Sequence, residues 1–209
     1  MIRRSRYGML AVLAAACLGV GCRVRIERPD TVPTRMIEPR LVEPGGVAAD
    51  APNATSVRLL ETQGRAHIGR RVLHQQPGGE LTEDPVWLWA TTPDRYLDSA
   101  VRYAIAANPA IRLVDAGSAA SLALTLVVWQ IEAVPSPRLV GAVEIQLTTM
   151  DRAVHSEIIR AEEPIAADLP GDLATAAGRL LGRLATDCVA RLRTPSSSGN
   201  EDAVDPAQR

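Results

Sequence analysis

Apolar residues recur along the chain with two periods. Between Val57 and Glu163 most of them come in short alternating runs. Around residues 92–108 and 171–192 they return roughly every three to four positions, the spacing of an amphipathic helix. The first strand predicted is Val57–Leu60. A second covers Ala66–Gln75, with Ile68, Val72 and Leu73 as its apolar residues, and Pro77-Gly78-Gly79 turns the chain after it. Pro85–Ala90 is a further strand, leading into a helix. Thr92 stands at the N-cap of that helix, Pro93 at its first position and Asp94 in its first turn. Leu97, Ala100, Val101, Ala104 and Ile105 form its apolar face, and Asn108-Pro109 ends it. Ile111–Val114 is a short strand.

The most strand-like stretch follows. Leu122, Leu124, Leu126 and Val128 fall on one face; Ala123, Thr125, Val127, Trp129 and Ile131 fall on the other. Both faces are apolar, so the pattern predicts a central strand. Pro135-Ser136-Pro137 breaks it. Leu139–Met150 and Val154–Glu163 flank a turn at Met150–Ala153 and predict an antiparallel hairpin. A second helix opens at Gly171-Asp172 and ends by Arg193. Its stripe is Leu173, Ala176, Ala177, Leu180, Leu181, Leu184, Cys188 and Leu192. The order strands, helix, strands, hairpin, helix predicts an α+β fold: a mostly antiparallel β-sheet with two amphipathic helices packed on one face.

The ends of the chain differ from this middle. Arg3, Arg4 and Arg6 precede an apolar run, Gly8–Val20, that closes on Leu18-Gly19-Val20-Gly21-Cys22. The run is about a dozen residues, within the range of a signal-peptide core and too short to span a bilayer. A basic start, an apolar middle and small residues before a cysteine predict a lipoprotein signal, residues 1–21, with the lipid carried on Cys22. A plain secretory signal and a membrane helix are the competing readings; the polar run Arg23–Arg28 disfavours the helix. The leucine stands one position further from the cysteine than in the usual lipobox. Residues 22–53 hold Pro29, Pro33, Pro39, Pro44 and Pro52 and read as a tether, with one short edge strand over Met36–Val42. The folded domain is expected over 54–193, beginning near Thr55. Residues 194–209 are polar and read as a disordered tail.

Composition narrows the functions. A hydrophobic content of 46% supports a core, and a net charge of −1 gives no electrostatic case for nucleic acid. All 23 basic residues are arginine, which fits the codon usage of a GC-rich genome. Two of the three cysteines, Cys17 and Cys22, lie in the leader region, so no disulfide framework is expected; Cys188 sits on a helix stripe as a buried thiol. His67, His74 and His155 have no second ligand at metal-binding spacing, and no metal or cofactor is expected. Glu83-Asp84 and Glu162-Glu163 read as solvated carboxylates at element ends. No nucleophile–base pair is present to support a hydrolase, and the chain is expected not to be an enzyme. The remaining signal is aromatic. Trp87, Trp89, Tyr96 and Tyr103 cluster in one segment of a chain that is 3% aromatic. They are either core packing residues or, with Trp87, Trp89 and Tyr96 foremost, a contact surface for a protein partner or an acyl chain.

In order and pattern the chain resembles the ABC-type transport auxiliary lipoproteins, the PqiC-like outer-membrane partners of MCE-domain lipid transport systems. The resemblance is carried by Cys22, by RRVLHQQPGGELTEDPVWLWATTPDRYLDSAVRYAI, by LALTLVVWQIE, by the hairpin turning at TTMDRAVHSE and by DLATAAGRLLGRLATDCVARL. Where the family has a tyrosine-rich first strand, this chain has TRMIEPRLVEP. The resemblance implies a non-catalytic lipoprotein that acts as a docking ring or collar for a phospholipid-moving MCE tunnel. It implies as partners an MCE-domain protein with its ABC transport system, the membrane through the lipid, and copies of itself in a homo-oligomer. The implied location is the periplasmic face of the outer membrane. Another periplasm-facing lipoprotein, assisting lipopolysaccharide assembly or activating cell-wall synthesis, is the alternative.

Overall fold

The structure, a computed structural model, describes residues 33–42, 51–117, 119–133, 135–166 and 170–192. All of them belong to the unit Pro33–Arg209. The predicted signal, Cys22 and the predicted tail lie outside the described residues.

Among the described residues one sheet holds nine strands: β1 (Arg35–Ile37), β2 (Thr55–Leu59), β3 (Gln63–Gly64), β4 (Arg71–Gln75), β5 (Leu81–Trp89), β6 (Ile111–Leu113), β7 (Ala120–Glu132), β8 (Arg138–Thr148) and β9 (Val154–Pro164). Helix α1 (Pro93–Ala106) follows β5, and helix α2 (Pro170–Arg191) follows β9. β7 is the spine. β8 pairs antiparallel along one edge of it, and β2, β3 and β4 share the other edge in succession, all parallel. β6 lies beyond β2, β5 and then β1 beyond β4, and β9 beyond β8. The β7–β8 and β8–β9 ladders have eleven residue pairs each, against two or three in each parallel ladder. The fold is thus α+β with a mostly antiparallel sheet, and β7 is central as its two apolar faces predict.

The alternation along β7 does not run straight through. A bulge between Leu126 and Val128 shifts the register against β8. Leu122, Leu124 and Leu126 are buried, then Trp129 and Ile131 take over the same role, and Val128 leaves the core face. One extra residue reverses the parity of everything after it. The single face Leu122–Val128 expected from strict alternation is corrected accordingly.

Two other expectations change. Ala66–Gln75 is not one strand. β3 precedes a turn closed by the Ile68 amide donating to the Arg65 carbonyl (2.8 Å), and β4 begins only at Arg71. Described residues ahead of Thr55, expected in the tether, also pack into the unit Pro33–Arg209. The short edge strand expected over Met36–Val42 is instead Arg35–Ile37, β1, parallel to β5 with Ile37 opposite Trp89. Ile37 is buried, and the Arg40 amide donates to the Ala174 carbonyl of α2 (3.1 Å). Gly178 permits this approach, because a Cβ there would collide with the Arg40 carbonyl.

α1 begins at Pro93 as predicted. Thr92 is extended at the N-cap (φ −71°, ψ 144°) but makes no side-chain cap bond. α2 buries Leu180, Leu181 and Leu184 completely, each worth roughly 1.5–3 kcal/mol. It packs on α1 and against β8 and β9. Gly141 of β8 lets it settle: a Cβ there would stand 3.0 Å from Leu184 Cδ1 and 3.2 Å from Leu180 Cδ2. Among the described residues no helix is long and apolar enough to cross a membrane.

Candidate functional site

Trp87 owes its position to an irregularity in β5. The β4–β5 register jumps from Leu73↔Glu83 to Arg71↔Leu88, so Asp84–Trp87 loop out together. Pro85, with no N–H to donate, suits such a place. Asp84 closes the loop. Its Oδ1 accepts the amides of Val86 and Trp87, both at 2.8 Å, and its Oδ2 lies 3.0 Å from His74 Nε2. Burial opposes the charge on Asp84, but the two amides and His74 outweigh it and hold the carboxyl below its ordinary pKa. Asp84 is therefore a structural acceptor and not the solvated carboxylate expected from sequence. His74 is bound to it, whereas His67 and His155 are exposed.

The loop presents the Trp87 ring half-exposed at the β1–β5 end of the sheet. The Arg35 guanidinium lies 5.5 Å from the ring centroid, a cation–π distance. Met36, the next residue of β1, is exposed on the opposite face, and Arg70 donates from Nε to the Trp89 carbonyl (3.1 Å). The Trp87 surface is an aromatic face with a guanidinium over it.

The other two aromatic candidates are elsewhere. Trp89 is buried and packs edge-on against Trp129, with centroids 5.7 Å apart and planes at 64°. Both indole N–H groups lack a hydrogen-bond partner. Tyr96 is buried, and its hydroxyl accepts the Thr91 amide (3.2 Å). Burial pushes the Tyr96 phenol above its ordinary pKa, and the charge of Glu38 adds to the shift. Two positions apart, Trp87 and Trp89 share one face of the strand, yet Trp89 is buried while Trp87 packs against the core only in part.

A second feature was not legible as a site in the sequence. α1 and α2 leave between them a groove of about 500 Å³. Tyr103 and Ala104 line one wall, Gly178 and Gly182 the other, and Leu41 and Val42 one end. At its rim stands Glu163, only 5% exposed. Arg179 Nε donates to it at 3.1 Å, Arg183 also donates to it, and Arg183 Nη1 reaches the Glu162 carbonyl at 3.1 Å. The solvated Glu162-Glu163 pair of the sequence reading is corrected for its second member. The signal was present in parity, since Ile159, Ala161 and Glu163 share the buried side of β9.

Cys188 is fully buried. Burial, with Asp187 nearby, pushes its thiol up to about 12, so it carries no thiolate at neutral pH. Among the described residues no cluster of three or more His, Cys, Asp or Glu is placed to hold a metal ion.

No family model matches the chain, and no curated protein matches it. Solved structures do. Protein XCC0632 from Xanthomonas campestris, of the family DUF330, is similar with a TM-score of 0.61 at 18% identity, covering 74% of this chain and 92% of that one. The crystal structure of an uncharacterized protein is similar with a TM-score of 0.62 at 11% identity, covering 78% of this chain and 99% of that one. At these identities the likeness shows the fold alone. A minor lipoprotein from Acinetobacter baumannii aligns with a TM-score of only 0.39 at 10% identity over 66% of this chain and 91% of that one, and carries no argument.

Proposed function

We propose that the chain is a lipid-anchored, non-catalytic component of an MCE/ABC-type intermembrane phospholipid transport system, held on the periplasmic face of the outer membrane. The observation that carries this reading is the motif Leu18–Cys22 ahead of an α+β binding domain. The domain offers the partner a surface around Trp87 and Arg35 and contributes no reacting group of its own. Both helices are read as lying on one face of the sheet, supported by their packing on each other. Arg23, and not aspartate, follows the lipidated cysteine and favours the outer membrane.

On this reading the ten residues 23–32 link the lipidated Cys22 to the first described residue, Pro33. Fully extended they reach about 35 Å, so the domain works close to the membrane. The test is co-purification of the lipidated chain with its cognate MCE-domain protein. Association that is weakened severalfold by Trp87→Ala is expected, together with an envelope permeability defect on deletion. Absence of both association and defect overturns the reading.

A further inference from the structure

The sheet has ends of very different length. β1 and β6 are three residues each, too short to template much pairing, whereas β9 runs eleven residues and among the described residues pairs with β8 alone. Its ladder with β8 has no register shift. A long, straight edge strand presents a row of unpaired backbone donors and acceptors, and proteins normally guard such edges with free charges, bulges or proline. β9 has its one proline at the end, and its charges are engaged within its own molecule. Glu157 pairs with Arg191 (3.0 Å), Arg160 with Glu132 (2.9 Å) and Glu162 with Arg138 (3.2 Å), while Glu163 is held by Arg179 (3.1 Å). Besides these paired charges, the exposed residues of the strand are His155, Ser156, Pro164 and two aliphatic side chains, Val154 at 55% exposure and Ile158 at 61%.

We propose that β9 is a docking edge for a second copy of this chain, the two β9 strands adding antiparallel about Ile158. A pairing that keeps each face of the sheet continuous must match even-numbered residues with even-numbered ones. Centred on Ile158, it sets the two Ile158 side chains against each other, Ser156 opposite the other copy's Arg160, and Val154 opposite the other copy's Glu162. On the other face Glu157 meets Ile159 and His155 meets Ala161. No like charges stand opposite. Centring on Arg160 would oppose two arginines directly, which is destabilising. Pairing with β1 or β6 of another copy would leave most of the eleven residues bare. The occupant that satisfies both length and charge is β9 itself, in an isologous contact.

The full-length chain in detergent tests this. Directly opposed residues of an antiparallel pair lie within disulfide reach. Ile158→Cys, oxidised with copper phenanthroline, is expected to give a reducible dimer severalfold above the unmodified chain and above Glu80→Cys, placed in the β4–β5 turn. By sedimentation velocity the unmodified chain is expected to be dimeric or larger, and Ile158→Arg to lose that species while keeping its circular dichroism spectrum. A monomeric unmodified chain, an Ile158→Cys yield no higher than that of Glu80→Cys, or cross-linking only to a protein of different mass overturns the proposal. Lipid attachment at Cys22 is read separately by acyl labelling, so the two inferences fail independently.

Discussion

Asp84 shows how much one carboxylate can organise. It supplies the acceptor that the looped-out residues of β5 would otherwise lack, and so fixes the Trp87 ring beside Arg35. Asp84→Ala leaves two amides without an acceptor and is expected to cost about 1–3 kcal/mol in urea unfolding. The folded state holds this carboxyl below its ordinary pKa, so the unfolded chain binds the proton more readily as the solution becomes acidic. Its contribution is therefore complete above the ordinary carboxylate pKa and is lost as pH falls through the folded value. The difference in urea midpoint between the parent and Asp84→Ala is expected to be constant near neutrality and to shrink below about pH 4. A difference that widens in acid contradicts this role. None of it was legible in the sequence, where Glu83-Asp84 reads as an ordinary polar pair. The hydrogen bonds depend on a register jump that alternation alone does not encode.

At the level of elements, α1, α2, β7 and the β8–β9 hairpin were legible because each has a long periodic signal. Thr92-Pro93 and Asn108-Pro109 bracket α1 in the sequence as they do in the fold. The signal failed where tertiary contact decides. The β7 bulge moved Trp129 and Ile131 into the core, and nothing local announces one extra residue. The stretch 33–42, with Pro33 and Pro39, reads as tether, yet it is fastened by Ile37 in the core and by the Arg40–Ala174 hydrogen bond. Gly178 is the partner that makes this possible. Gly178→Val should drive the Arg40 backbone off α2, costing about 1–3 kcal/mol as overpacking does. Limited trypsin digestion is expected to cut at Arg40 many times faster in the variant, before the rest of the domain is attacked. Equal cleavage rates would mean that the segment is held without this contact.

For the molecule as a whole, the structure gives a folded domain with a half-exposed aromatic side chain at the β1–β5 end of the sheet and, at the other, a long strand that pairs on one side only among the described residues. Of the three aromatic candidates, only Trp87 is partly exposed; Trp89 and Tyr96 are buried. The sequence identified the cluster but not this division, because burial separates residues two positions apart. In the proposed function this domain is a binding element tied to a membrane by a lipid on Cys22. Cells fed radiolabelled palmitate test that most directly. The parent chain should carry label into the membrane fraction, and Cys22→Ala should carry none and leave that fraction. Label retained on Cys22→Ala, or a parent chain that never takes it up, would contradict the claim.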